Sequence, residues 1–115
     1  MGATDFYEEY IGRESPNAAF DLLREKAAYE LGHDGYTGSI AEKDDYIMIE
    51  CPPRKEPGTY VDELMDTEDS RIDDKWGPAG CIEFKGTYLK KYKELRGLKG
   101  KKNIRAYIFF GCASS

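Results

Sequence analysis

The sequence predicts an α+β fold: a mainly antiparallel sheet of about four strands, with one long amino-terminal helix packed on a face and one or two shorter helices. Three observations carry this reading. A capped amphipathic run covers Pro16 to Leu31, short β-type runs recur in the second half, and 115 residues suit a single domain spanning 1–115 with one core.

The first helix is the clearest element. Ser15 is placed to cap it, Pro16 occupies the first turn where a missing amide proton costs nothing, and Gly32 follows the last apolar residue as a left-handed terminator would. Phe20, Leu23, Ala27 and Leu31 recur at spacings of three and four, so one stripe faces the core. Thr37 to Lys43 and Tyr46 to Cys51 then read as two strands of a hairpin joined at Asp44-Asp45. Pro52-Pro53 ends the second strand, and Arg54 to Gly58 reads as a solvated loop. Thr59 is the expected cap of a short helix that carries Val61, Leu64 and Met65 inward. A third strand is expected over Cys81 to Lys85, and Tyr88 to Arg96 forms either a basic helix or an extended arm. The last strand, Ile104 to Phe110, is apolar on both faces at Ile108-Phe109-Phe110, which places it at the centre of the sheet or in a subunit interface.

Composition narrows the function classes. No apolar run approaches the roughly 20 residues of a membrane helix, and the acidic start lacks the cationic flank of a signal peptide, so a cytoplasmic protein without a membrane partner is expected. Cys51, Cys81 and Cys112 are odd in number and widely spaced, which predicts reduced, buried thiols rather than a disulfide framework. The net charge of -5 conceals a split: residues 1–80 hold 20 acids against 8 bases, a net of -12, and residues 81–115 hold 2 acids against 9 bases, a net of +7. Such a split suits two faces of one domain, a basic pocket for an anion, or head-to-tail contact between copies.

The segment from Gly32 to Ser39 concentrates candidate chemistry: the only histidine, His33, with Tyr36, Thr37, Ser39 and three glycines at a helix exit. Glycines permit close approach of backbone amides to an anion, Tyr36 offers a stacking face and the hydroxyls offer hydrogen bonds. The order is helix then strand, the reverse of a phosphate-binding loop, so the segment is neither a Walker motif nor a dinucleotide fingerprint. His33 has no second histidine with which to form a metal cluster, and the acidic middle from Asp62 to Asp74 lacks the ligand alternation of a calcium loop, so no metal and no cofactor are expected. The basic stretch from Lys90 to Arg105, interleaved with Tyr88, Tyr92 and Tyr107, resembles a nucleic-acid footprint in miniature. The overall negative charge disfavours a nucleic-acid partner and suits a small phosphorylated ligand better, with Arg96 and Arg105 on phosphates and Tyr36, Tyr92 or Trp76 stacking.

The run Gly32-His33-Asp34-Gly35-Tyr36-Thr37-Gly38-Ser39-Ile40-Ala41-Glu42-Lys43, with the helix before it and the closing Ile108-Phe109-Phe110-Gly111-Cys112, resembles a functionally unassigned family of small bacteriophage and prophage proteins. The resemblance transfers no catalytic residue. It implies action against host defence in the bacterial cell, by sequestering a nucleotide signal or by blocking a host protein. Together with the glycine turn, the basic third and the apolar last strand it leads to the expectation of a non-enzymatic counter-defence homo-oligomer that sequesters a small nucleotide-derived signal. Two alternatives stand beside that expectation: an inhibitor that binds a host defence protein through its acidic surface, and a small enzyme acting on a nucleotide with His33 as acid or base. The binding reading requires the glycine turn to converge with the cations of the last third.

Overall fold

A computed structural model describes residues 2–32, 35 and 37–115. The fold is α+β, built on four strands: β1 (Ala3–Gly12), β2 (Tyr46–Met48), β3 (Ala79–Glu83) and β4 (Arg105–Ser114). Three helices, α1 (Pro16–Leu31), α2 (Pro57–Asp66) and α3 (Gly86–Leu95), and a 3-10 turn at Ile40–Glu42 complete it. The strand order is β1-β4-β3-β2, with β4 antiparallel to both β1 and β3, and β2 parallel to β3.

The sheet is therefore mixed, which corrects the expected mainly antiparallel arrangement. The hairpin expected between 37–43 and 46–51 does not form. Instead the Ser39 hydroxyl accepts the Ala41 amide at 3.2 Å and the Thr37 hydroxyl donates to Glu42 at 2.8 Å, so local side-chain bonds curl the segment into a 3-10 turn. Freed of that partner, β2 reaches β3 through the α2 crossover, the kind of long connection that parallel neighbours need.

The strand β4 is the spine of the core, and its apolar run is central rather than interfacial. Tyr107 and Phe109 join Ala19, Phe20 and Ala27 of α1, Ile40 and Cys81 on one face. Ala106, Ile108 and Phe110 join Val61 and Leu64 of α2, Tyr92 of α3, Ile82 and Phe84 on the other. Helices thus cover both faces. The strand β1 at one edge was not anticipated, because Asp5, Glu8 and Glu9 mask its period; Phe6 is buried and Tyr10 stacks on Tyr107 with ring centroids 5.9 Å apart.

The helices follow their caps. Ser15 accepts the Ala18 amide at 3.4 Å and Pro16 opens α1, which ends at Gly32 with a positive φ of 89°. At 16 residues, α1 has under five turns, an ordinary short helix rather than a long one, and Leu31, expected inward, is exposed. The helix α2 begins at Pro57 rather than beyond Thr59, because the Glu56 carboxylate is the cap, accepting the Thr59 amide at 2.8 Å. The basic segment after β3 is helical, pinned by Tyr92 stacked on Phe84 at 4.6 Å, while Leu95 points to solvent. All three cysteines are free; Cys81 is fully buried and Cys51 and Cys112 are partly so. Among the described residues no helix is long and apolar enough to cross a membrane.

Candidate anion-binding cleft

The topology sorts charge to the two ends of the sheet. The strands β1, β2 and β3 run the same way, so their carboxyl ends share one end with the start of β4, where Gly12 pairs with Arg105 and Glu83 with Tyr107. All three helices begin there, and Arg13, Arg54, Lys55, Lys85, Lys101, Lys102 and Arg105 lie in the segments that leave or enter the sheet at that end. The opposite end receives Asp44 and Asp45 before β2, and Asp69, Asp73 and Asp74 before β3. The sorting is a bias rather than a clean split, since Glu14, Glu50, Glu56 and Glu83 lie with the cations and Lys43, Arg71 and Lys75 with the aspartates.

A cleft of about 900 Å³ opens at the cationic end, outside the carboxyl ends of the two parallel strands. This is where open sheets with parallel strands commonly place ligands, because the loops diverge there and helix amides point outward. The segment 48–55 after β2 supplies Met48, Ile49, Pro52, Pro53, Arg54 and Lys55 and one exposed carboxylate, Glu50, and the junction from β3 to α3 supplies Lys85, Gly86, Thr87 and Tyr88, with Lys91 one turn on. The two helix starts at the cleft differ. Glu56 fills the start of α2 with its own carboxylate, whereas Lys85 at the start of α3 makes no side-chain capping bond. The open helix start thus faces the cleft with its partial positive charge available.

The cations around it divide in the same way. Lys55 is paired with Glu63, and that hydrogen bond raises its pKa. Arg54, Lys85 and Lys91 are exposed and carry no ion pair among the described residues. Glu83 lines the cleft but its carboxylate is taken by Arg105, bidentate at 2.9 and 3.1 Å. The Cys51 thiol, at 3.4 Å from the Lys55 carbonyl, has its pKa pushed up by burial and then by Glu56, so it rests as a neutral thiol in the cleft wall. Prolines and Tyr88 give flat apolar surface beside the cations.

Among the described residues, those singled out in the sequence fall in two groups that do not meet within a protomer. His33 and Tyr36 lie outside the described residues. Thr37 and Ser39 share a 2.7 Å hydrogen bond and close the 3-10 turn, next to Gly38, whose amide donates to the Ser114 carbonyl at the far end of β4. Trp76 stands at that same end, 66% exposed. Arg105 opens β4 nine residues earlier, roughly 30 Å along the strand. Arg96 donates to the Tyr92 hydroxyl at 3.1 Å, and the Tyr92 ring is buried against Phe84. The expected convergence of the glycine turn with the cationic third is thus replaced by separation: Arg105 serves Glu83, and Tyr92 serves the core.

Sequence alone puts Arg54 and Lys55 in a solvated loop, Lys85 at the end of a strand, and Tyr88 and Lys91 in a general basic stretch. The signal was present in two junctions, Cys51-Pro52-Pro53-Arg54-Lys55 and Phe84-Lys85-Gly86-Thr87, each a strand end followed by a turn and a helix. Among the described residues no group of three or more His, Cys, Asp or Glu is arranged to hold a metal ion. No family model, curated protein or solved structure matches the chain.

Proposed function

We propose that this protein is a non-enzymatic binder that takes up and holds a small phosphorylated, nucleotide-derived ligand in the cleft at the start of α3. The observation that carries the reading is the uncapped start of α3 ringed by the unpaired cations Arg54, Lys85 and Lys91. A phosphate there meets first-turn amides and charge-assisted donors together. Tyr88 and the Pro52-Pro53 face supply the flat apolar surface a base would lie on. The biological role proposed with it is the one the sequence resemblance implies, sequestration of a signal by a phage-type counter-defence protein in the bacterial cell.

The experiment is thermal unfolding and titration calorimetry with inorganic phosphate, cyclic nucleotides and ADP-ribose derivatives. A ligand present at about 100 times its Kd is expected to stabilise the fold by about 2.7 kcal/mol, and the double substitution Lys85→Ala with Lys91→Ala is expected to remove most of that gain. Absence of heat and of any shift across the panel rejects the reading. Mass spectrometry of recovered ligand separates holding from turnover, since a chemically altered ligand would move the assignment to an enzyme.

A further inference from the structure

Trp76 occupies an unusual position for the only tryptophan of the chain. Its side chain is 66% exposed, yet the turn that carries it is fixed from below. The Lys43 ammonium, on a residue 1% exposed, donates to the carbonyls of Asp74 at 3.2 Å, Lys75 at 3.3 Å and Gly77 at 2.9 Å. From above, the Asp74 carboxylate accepts the Trp76 amide and the Asp74 carbonyl accepts the Gly77 amide, each at 2.9 Å. A buried charge is costly to place, and here it holds one short turn. An aromatic ring on a rigid turn loses little conformational freedom on contact, which is what distinguishes an anchor from an ordinary exposed side chain.

The surroundings of Trp76 state the chemistry of its partner. The Lys75 ammonium lies over the Trp76 ring, 5.4 Å from its centroid, and Arg71 takes the Asp69 carboxylate, which leaves Asp73 and Asp74 before the ring and Asp45, whose carbonyl accepts the Ala79 amide at 3.0 Å, as the acids that border the turn. A partner suited to this turn offers an apolar slot for the ring, with cations placed to meet Asp45, Asp73 and Asp74. The cleft at the other end of β3 is such a slot: Pro52, Pro53 and Tyr88 between Arg54, Lys85 and Lys91. Trp76 lies just before β3 begins and the cleft lies just after it ends, so the two complementary surfaces sit at opposite ends of one strand and cannot meet within a protomer.

We infer that copies of this chain associate head to tail, the Trp76 turn of one seated in the basic cleft of the next. The contact is heterologous, so it repeats into a ring or an open row rather than closing on a two-fold axis. Its electrostatic part is screened by salt over about 8–10 Å. The inference uses the same cleft as the ligand reading but does not rest on it, and a ligand in the cleft would compete with the incoming turn.

The test uses two variants of exposed residues. Trp76→Ala lacks the anchor and keeps the cleft; the double substitution Lys85→Glu with Lys91→Glu spoils the cleft and keeps the anchor. Light scattering behind size exclusion is expected to show a mass above the monomer for the wild type at about 50 mM salt and monomer at about 500 mM, with each variant monomeric alone at the lower salt. Mixing the two variants restores one intact contact, so an equimolar mixture is expected to form a heterodimer. The emission of Trp76, carried by only one of the pair, is expected to shift to the blue on mixing. A monomeric wild type at low salt, continued assembly of Trp76→Ala, or failure of the two folded variants to pair overturns the inference. Ligand titration of Trp76→Ala keeps the readings apart, because that variant retains the cleft whether or not the copies associate.

Discussion

The Lys43 ammonium and the Gly77 carbonyl meet at 2.9 Å inside the protein, and among the described residues no carboxylate is bonded to that ammonium. The charge is held by backbone dipoles, with Asp74 adding a favourable charge from nearby. Lys43→Met removes the donor and leaves three carbonyl oxygens without it, so a loss of about 2–4 kcal/mol is expected in urea denaturation, with the 74–77 turn first to gain amide exchange. A loss below about 0.5 kcal/mol would show that water replaces the ammonium without cost.

Stability is expected to fall on the alkaline side. Burial pushes the Cys81 thiol from 9.0 up to about 12, and pushes the Tyr107 hydroxyl from 10.0 up to about 12. Both groups hold their protons in the folded chain at a pH where the unfolded chain has released them. Their contribution is whole below about pH 9 and declines as pH rises toward 12. Lys43 acts in the opposite sense: burial lowers its pKa below 10.5, so the unfolded chain binds more protons and stability gains as pH approaches 10.5. Urea midpoints measured from pH 8 to 11 are expected to decline overall, less steeply in Cys81→Ala and more steeply in Lys43→Met. Parallel curves for all three proteins would contradict this assignment.

Gly80 is a glycine for want of room. A Cβ there would stand 2.7 Å from Phe110 Cζ and 2.9 Å from Ile72 Cγ2, both fixed in the core. Gly80→Ala is expected to cost about 1–3 kcal/mol, read as a lower thermal midpoint, although alanine suits the strand backbone itself better. An unchanged midpoint would mean that Ile72 yields freely.

Arg105 tests which cations belong to the site. Lys at this position keeps the charge and loses the two-pronged grip on Glu83, so Arg105→Lys is expected to lower stability by about 0.5–1 kcal/mol while leaving ligand affinity unchanged. Lys85→Ala is expected to leave stability unchanged and to weaken a phosphorylated ligand about tenfold, the loss of one charge-assisted bond. The reverse pattern in calorimetry would return the site to Arg105.

Local signals wrote the helices legibly. Ser15-Pro16 fixed the start of α1, and the doubly apolar run at Ile108-Phe109-Phe110 marked the strand that the sheet is built around. What failed were the places where a side chain competes with the backbone or where only one neighbour is present. Thr37, Ser39 and Glu42 draw their own segment into a turn that alternation alone reads as a strand. The strand β1 has a partner on one side only, and its acids hide its period. The cleft was harder still, since it joins residues 48–55 to residues 85–91 across the parallel β2–β3 pairing, a long-range register that neither segment carries in its own sequence.

The strand β1 leaves ten residues of backbone bonded on one side only. Such a border templates stacking of further chains unless like charges keep them apart, and Asp5, Glu8 and Glu9 are placed to do so. Burial raises the pKa of Glu8, which will therefore be among the first of these guards to neutralise in acid. Mild acidification, well short of unfolding, should turn a soluble preparation into one that seeds fibrils, visible as thioflavin fluorescence that Glu8→Lys suppresses.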